Sequence, residues 1–444
     1  IMELSKNKKH HYLFFFILSV YTIFNGGNSN LLIQINFILI SLFFLTCLKD
    51  KNYNLHFENF YKNNKVSLIF YFIFLLYLVF QILPLPIDIL KKFSPEKYYY
   101  LNNLSSDSSY SSISLSPINS FFQLLNFISL LILVFILKMI FYTERHKNRM
   151  YLFLTFSGFF CSLVALIFYL YGNPDFLFLK NDYYKSASTG FFINRTVFAI
   201  FLLFSLISSL ELLKNLDLNV EKKKDNFFLK IYVRLFIIFI TIGIITSYSR
   251  IGNFLLLVTV LFYFINEFFV KKNSNKVFKS TILLIIFFDV LALGVYFGSS
   301  QILERFYFLK EEFSVLSLED ISLNRLQIIR FGLNQINNFL FFGYGSGAFE
   351  TLFKINFHEL GIQYANHAHS DIIEFFGEFG LIGFTLITFS LINFVINKKF
   401  YSFINLIILI YLIVLLAFDF SLHVPFIQVL FIIFLSLNKK NSLR

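Results

Sequence analysis

The chain has 444 residues, of which 57% are hydrophobic and only 14% charged, against about 25% charged in an ordinary soluble domain. A water-soluble globule of this length needs far more charge on its surface, so composition excludes one and points to lipid as the main solvent. The net charge of +12 does not signal nucleic acid, because the lysines and arginines sit in short clusters between apolar runs rather than along one face or tail.

At the N-terminus, Lys6, Lys8 and Lys9 precede an apolar run from Tyr12 to Phe24, which resembles a signal peptide. No small-residue cleavage site follows and a second apolar run begins at Leu31, so an uncleaved first helix is expected. Apolar runs then predict about twelve spans, near 12–25, 31–48, 66–85, 120–142, 150–171, 191–213, 231–248, 251–270, 280–299, 371–396, 401–418 and 424–437. The fold class is therefore all-α, a single polytopic membrane domain over 1–444. Cys47 and Cys161 both lie inside apolar runs and offer neither a disulfide framework nor metal-ligand spacing.

Orientation follows from the basic residues. Lys49, Lys51, Lys62, Lys65, Arg145, Lys147, Arg149, Lys222 to Lys224, Lys271, Lys272, Lys276, Lys279, Lys398, Lys399, Lys439 and Lys440 all fall on one side. The positive-inside rule makes that side cytoplasmic, with both termini on it. The outer segments are then 86–119, 172–190, the tip at Ser249–Arg250, 300–370 and the tip at Asp419–His423. The first, edged by Pro84, Pro86, Pro95 and Pro117, reads as a short amphipathic piece followed by a flexible Ser/Asn-rich linker. The 300–370 loop carries Leu326, Ile329, Leu333 and Ile336 at helical spacing, so an ordered helix is expected within it.

Reactive side chains concentrate on that outer side. His367, His369 and Asp371 are followed by Glu374 and Glu378, and the three acids at i, i+3 and i+7 share one face of the helix that starts there. Acids in a first turn also stabilise the positive helix end, so a structural role is open for them. A histidine beside a carboxylate suits general-base work near neutral pH, and His-x-His with a carboxylate is also metal-ligand chemistry. Gly343, Gly345 and Gly347 form either a tight turn or a backbone nest for phosphate. Arg195, Arg250, Arg325 and Arg330 lie at or beyond outer helix ends, where arginine either snorkels to headgroups or grips phosphate through its fork. Asp289, Lys138 and Glu211 fall inside apolar runs, and Asp289 is suspect as a functional group on that ground.

Four stretches taken in order resemble the O-antigen ligase family, which also includes O-antigen polymerases and protein O-oligosaccharyltransferases. Thr189–Arg195 is similar to its Gly-x-Phe-x-Asn-Arg stretch, with Asn194 and Arg195 at the matching positions, and Ser249–Arg250 resembles its Ser-Arg pair. Arg325–Gly347 resembles its Arg-led loop helix ending in a Gly-x-Gly turn, and His369-Ser370 with Gly380–Gly383 its His-Asn/Ser…Gly-x-x-Gly signature. Asp419–Pro425 is similar to some members, and the likeness covers about 186–430. Thr196 and the position of Thr385 depart from the pattern.

The resemblance implies a GT-C-like, metal-independent, inverting glycosyltransferase of the bacterial inner membrane with no cofactor. Its donor would be an undecaprenyl-diphosphate-linked glycan, and its acceptor lipid A–core or a second glycan, at a periplasmic site among membrane lipids. Arg250 and Arg325 would then serve the departing diphosphate and His369 the acceptor hydroxyl. Asn194, Arg195, Arg330, Gly345, His367, Asp371 and Glu378 would line the substrates. Polymerase and protein-glycosylating branches stay open. A polysaccharide flippase or transporter is the alternative from another class, disfavoured because the polar residues sit in outer loops rather than at the bilayer midplane.

Overall fold

A computed structural model describes residues 2–103, 109–175, 185–218, 227–270, 276–291, 325–357, 365–396 and 402–437. Each expected apolar run falls on a helix, and the run at 280–299 is seen as Lys276–Leu291. Among the described residues eight helices are long and apolar enough to cross a membrane, and Phe403–Phe418 and Pro425–Leu437 are shorter apolar helices. The side chain of Asp289, the 300–324 part of the long loop and residues 358–364 lie outside the described residues.

The helix Arg195–Leu218 is the axis of the molecule, with the apolar window of its Arg195–Leu216 stretch wholly buried. Helices Glu144–Leu170, Phe227–Thr246, Arg250–Ile265 and Pro425–Leu437 pack around it. Lipid tails are as apolar as leucine, so association here relies on close approach rather than on the hydrophobic effect. The axis meets this with small residues: a Cβ on Gly158 would lie 2.3 Å from that of Ser205. Ser205 and Ser208 turn their hydroxyls back onto the carbonyls of Phe201 and Phe204, which keeps these polar groups satisfied inside an apolar wall. Glu211, buried near the far end, accepts from Tyr263 Oη at 3.0 Å and pairs with Lys214 at 3.3 Å.

A second group gathers Asn30–Leu48, Lys65–Ile82, Pro117–Ile140 and Asp371–Ile396. Ser67 and Ser390 exchange hydroxyl-to-carbonyl bonds of 2.7 and 2.9 Å, which lock Lys65–Ile82 against Asp371–Ile396. The latter helix is broken at Gly380, whose φ of 62° and ψ of −178° only glycine adopts without strain. A break in a membrane helix frees carbonyls and amides that lipid cannot satisfy. Here they are taken up by the chain leading into and through the Gly343–Gly347 turn and by one neighbouring helix. Leu381 N donates to Leu340 O at 2.8 Å, Tyr344 N to Gly377 O at 2.9 Å and Gly345 N to Glu378 O at 3.2 Å. Tyr77 Oη reaches the carbonyls of Phe342 and Phe379, each at 2.7 Å, and Gln81 Nε2 those of Phe342 and Glu378.

The first outer loop differs from the expected amphipathic piece plus flexible linker. It forms two short helices, Ile87–Phe93 and Pro95–Asn103, and a two-residue antiparallel pairing of Leu85 with Ser111 and Pro86 with Tyr110. Its Ser-rich end is fixed because it has partners: buried Lys97 donates to Ser112 O at 2.6 Å and Ser114 O at 2.5 Å, and Leu115 N donates to Tyr344 O at 2.9 Å. Burial pulls the Lys97 ammonium down to about 8. A helix at Lys51–Asn63, also unanticipated, fills the segment between the second and third spans.

Replacing Gly380 by Ala puts a Cβ 2.5 Å from Gly343 N and imposes a left-handed φ on an L-residue. A loss of roughly 1–3 kcal/mol is expected, read as a lowered unfolding midpoint of the purified protein in detergent.

Candidate functional site

The helix Asp371–Ile396 carries the chemistry at its head. Asp371, Glu374 and Glu378 share one face as their spacing predicts, and all three are buried. What they face did not follow from spacing. His423, from the turn between Phe403–Phe418 and Pro425–Leu437, enters among them. Its Nδ1 is bonded to Asp371 Oδ1, and its Nε2 lies 3.4 Å from Glu374 Oε1 and 3.6 Å from Glu378 Oε2. The ring stacks on Phe375 at 4.1 Å.

Backbone amides complete the shell. Leu422 N donates to Asp371 Oδ2 at 2.9 Å, Ala368 N to Glu374 Oε2 at 2.7 Å and Gly347 N to Glu378 Oε1 at 2.8 Å. Each acid therefore ties a different segment to the helix head: the 419–425 turn, the His-x-His loop and the glycine turn. Burial opposes a charge on His423, but the Glu374 and Asp371 carboxylates outweigh it and raise its pKa well above the ordinary range.

His367 and His369 divide their roles. His367 is about a quarter exposed, donates or accepts through Nδ1 with Glu374 Oε1 at 2.8 Å and stacks on Phe420. His369 sits at φ 58°, a region costly for a non-glycine residue, with its Nδ1 buried and without a hydrogen-bond partner. Burial, reinforced by Arg325, pulls its pKa down to about 4, so it is neutral at physiological pH. A neutral imidazole with an open nitrogen is suited to accept a hydrogen bond from an incoming hydroxyl. Asp419 also lies in the field of Arg325: burial raises its pKa, opposed by Ser421 and Arg325. Its carbonyl takes the Asp371 N–H at 2.8 Å.

The arginines fall into two sets. Arg325 opens the helix Arg325–Asn338 and acts electrostatically on both His369 and Asp419. Arg330, also exposed, is five residues on and so about 140° around the same helix, pointing elsewhere. Arg250 and Arg195 each open a helix, and the two starts are joined because Ser249 Oγ caps Gly252 N and donates to Thr196 Oγ1 at 3.2 Å. Tyr248, just before, is held at φ 53° with its hydroxyl 2.9 Å from that of Tyr169. Asn194 caps its own helix, its Oδ1 accepting from Thr196 N at 2.7 Å. Phe192 stacks on Phe426, three residues past His423, so this pair of starts stands at the same end of the bundle as the histidines.

The glycine turn reads as shape rather than as an anion nest. The amides of Gly343, Gly345 and Gly347 go to Phe339 O, Glu378 O and Glu378 Oε1. A Cβ on Gly345 would lie 2.2 Å from Ser114 Oγ, so the residue is glycine to let the first outer loop dock. Gly345 is thus a packing position, not a free amide for substrate.

Sequence reasoning missed His423 and Asp419 as site residues although it noted the Asp419–Pro425 stretch, and it missed what Glu374 holds. His423 and Asp419 lie in a turn some fifty residues beyond the acids of the Asp371 helix and share no spacing with them; the one available signal was the Asp419–Pro425 stretch at an outer tip. Replacing His369 by Gly removes its backbone strain, so the variant should unfold no earlier than the wild type. A clear drop in its unfolding midpoint would assign His369 a structural role instead.

Residues 235–388 match a family model described as O-antigen ligase, a stretch that contains Arg250, Arg325, Arg330, Gly345, His367, His369, Asp371 and Glu378. No curated protein matches the chain.

Proposed function

We propose, from the match of residues 235–388 to a family model described as O-antigen ligase, that the chain is a membrane glycosyltransferase of the ligase and polymerase type, and specifically a ligase acting at the end of the bundle that bears His369. The donor is an undecaprenyl-diphosphate-linked glycan and the acceptor lipid A–core, met on the periplasmic face of the bacterial inner membrane. The observation that carries this reading is His369, whose buried Nδ1 has no hydrogen-bond partner and whose ring lies within the field of the Arg325 guanidinium.

The chemistry is a displacement. The acceptor hydroxyl oxygen attacks the anomeric carbon while the bond to the diphosphate oxygen breaks, and polyprenyl diphosphate leaves with the electron pair. The hydroxyl proton passes to His369 as the new bond forms and from there to water. Attack opposite the leaving group inverts the anomeric centre. The leaving diphosphate gains charge, and Arg325 and Arg250 are guanidinium groups able to take its oxygens in bidentate fashion. The diphosphate therefore needs no added magnesium.

Purified protein supplied with lipid-linked glycan and acceptor is expected to transfer sugar without added divalent cation. Arg325→Ala and His369→Ala should each slow it by roughly 10²–10³-fold with folding intact. Full transfer by both variants would remove these roles. In cells, deleting the gene distinguishes the branches on a polysaccharide gel. Long chains retained on the carrier lipid are expected for a ligase, whereas capping with single repeats would mark a polymerase.

A further inference from the structure

His423, Glu374, Glu378 and His367 come from three separate segments, yet their donor atoms converge. One nitrogen from each histidine and one Glu374 oxygen lie within 4.8 Å of one another. We propose that this group binds one divalent transition-metal cation of the zinc type, which clasps the His-x-His loop and the 419–425 turn onto the head of the Asp371–Ile396 helix. The clasp includes neither the arginines nor His369, and it stands whether or not the chain transfers glycans.

The geometry is that of a prepared ligand set. His423 Nδ1 is engaged by Asp371, which fixes the ring and its tautomer. A carboxylate behind a histidine in this way is the usual outer support of a metal-bound imidazole. The opposite nitrogen, Nε2, is buried without a hydrogen-bond partner on a residue only 5% exposed, and it is aimed at Glu374 Oε1 and Glu378 Oε2 at 3.4 and 3.6 Å. Those separations approach the edge of a tetrahedron with bonds of about 2.0–2.1 Å, which is about 3.3–3.4 Å. His367 Nδ1, hydrogen-bonded to Glu374 Oε1 at 2.8 Å, has to draw apart from it by about 0.5 Å to take the remaining corner; among the proposed ligands it is the one with partial exposure, which gives an ion its way in.

The donor chemistry selects the class of ion. Two imidazole nitrogens with carboxylate oxygens suit zinc and its neighbours, whereas magnesium and calcium prefer sets made wholly of oxygen. Charge points the same way. Asp371, Glu374 and Glu378 bring up to three negative charges into a buried space, and a single divalent ion supplies two positive charges there.

The test uses full-length protein without a polyhistidine tag, purified in detergent after dialysis against zinc and then against metal-free buffer. Elemental analysis should find about one zinc per chain, and cobalt in its place should give the intense visible absorption of a tetrahedral site. His423→Asn and Glu374→Gln should lose the ion, Asp371→Asn should weaken it roughly 10–100-fold, and His56→Asn, at the other end of the bundle, should keep it. Should His423→Asn fail to fold, the partly exposed His367→Asn carries the same comparison. A wild type without zinc and without cobalt bands overturns the proposal and leaves an imidazolium–carboxylate network. Equal zinc in wild type and the ligand variants overturns it as well. Neither outcome bears on glycan transfer, which is measured separately.

Discussion

Backbone groups released inside a bilayer have no water to fall back on, and this one constraint organises the outer half of the molecule. The Asp371–Ile396 helix breaks at Gly380, and the freed groups must find protein partners. They find them in the 340–345 chain, in Tyr77 and in Gln81. The Gly343–Gly347 turn exists in its tight form because it lies against that break. The first outer loop then docks on the turn through Ser114 and Leu115. A loop helix bearing Arg325, a glycine turn and a membrane helix are thus one unit, and the arginine is delivered to the histidines by hydrogen bonds made well below it.

Above the break the controlling term is charge. Three carboxylates on one buried helix face are expensive to bring together, and each is offset by a backbone amide and by His423. Because the amides belong to three different segments, neutralising the acids also fixes where those segments lie. His369 owes its left-handed backbone to this arrangement, since Ala368 on one side is tethered to Glu374 and Asp371 on the other to the carbonyl of Asp419. Strain at His369 and the openness of its nitrogen are two consequences of one network.

The helix Arg195–Leu218 plays a different part. Its full burial and small-residue contacts make it a rigid mast whose start holds Asn194 and Arg195, and Thr196 on its first turn receives the Ser249 hydroxyl. Arg250 is therefore positioned by the axis of the bundle, while Arg325 is positioned by the broken helix. The two cations reach the same end of the molecule on independent supports, an arrangement in which a ligand that bridges them draws the supports together.

Much of this was legible in the sequence because lipid imposes a simple rule. Apolar runs of membrane length must be helices, so the spans, the ordered Arg325 helix and the common face of Asp371, Glu374 and Glu378 follow from spacing alone. Residue type and order likewise carried the likeness to the O-antigen ligase family. The docking of the first outer loop on the glycine turn, the consumption of the Gly345 amide and the entry of His423 among the acids were decided only by the tertiary structure. Each depends on which distant segments meet, and a linear pattern records the face a side chain occupies but not the partner that neutralises it. For the three acids of the Asp371 helix that partner is a histidine some fifty residues away, brought back by a helical hairpin whose turn carries its own buried carboxylate, Asp419.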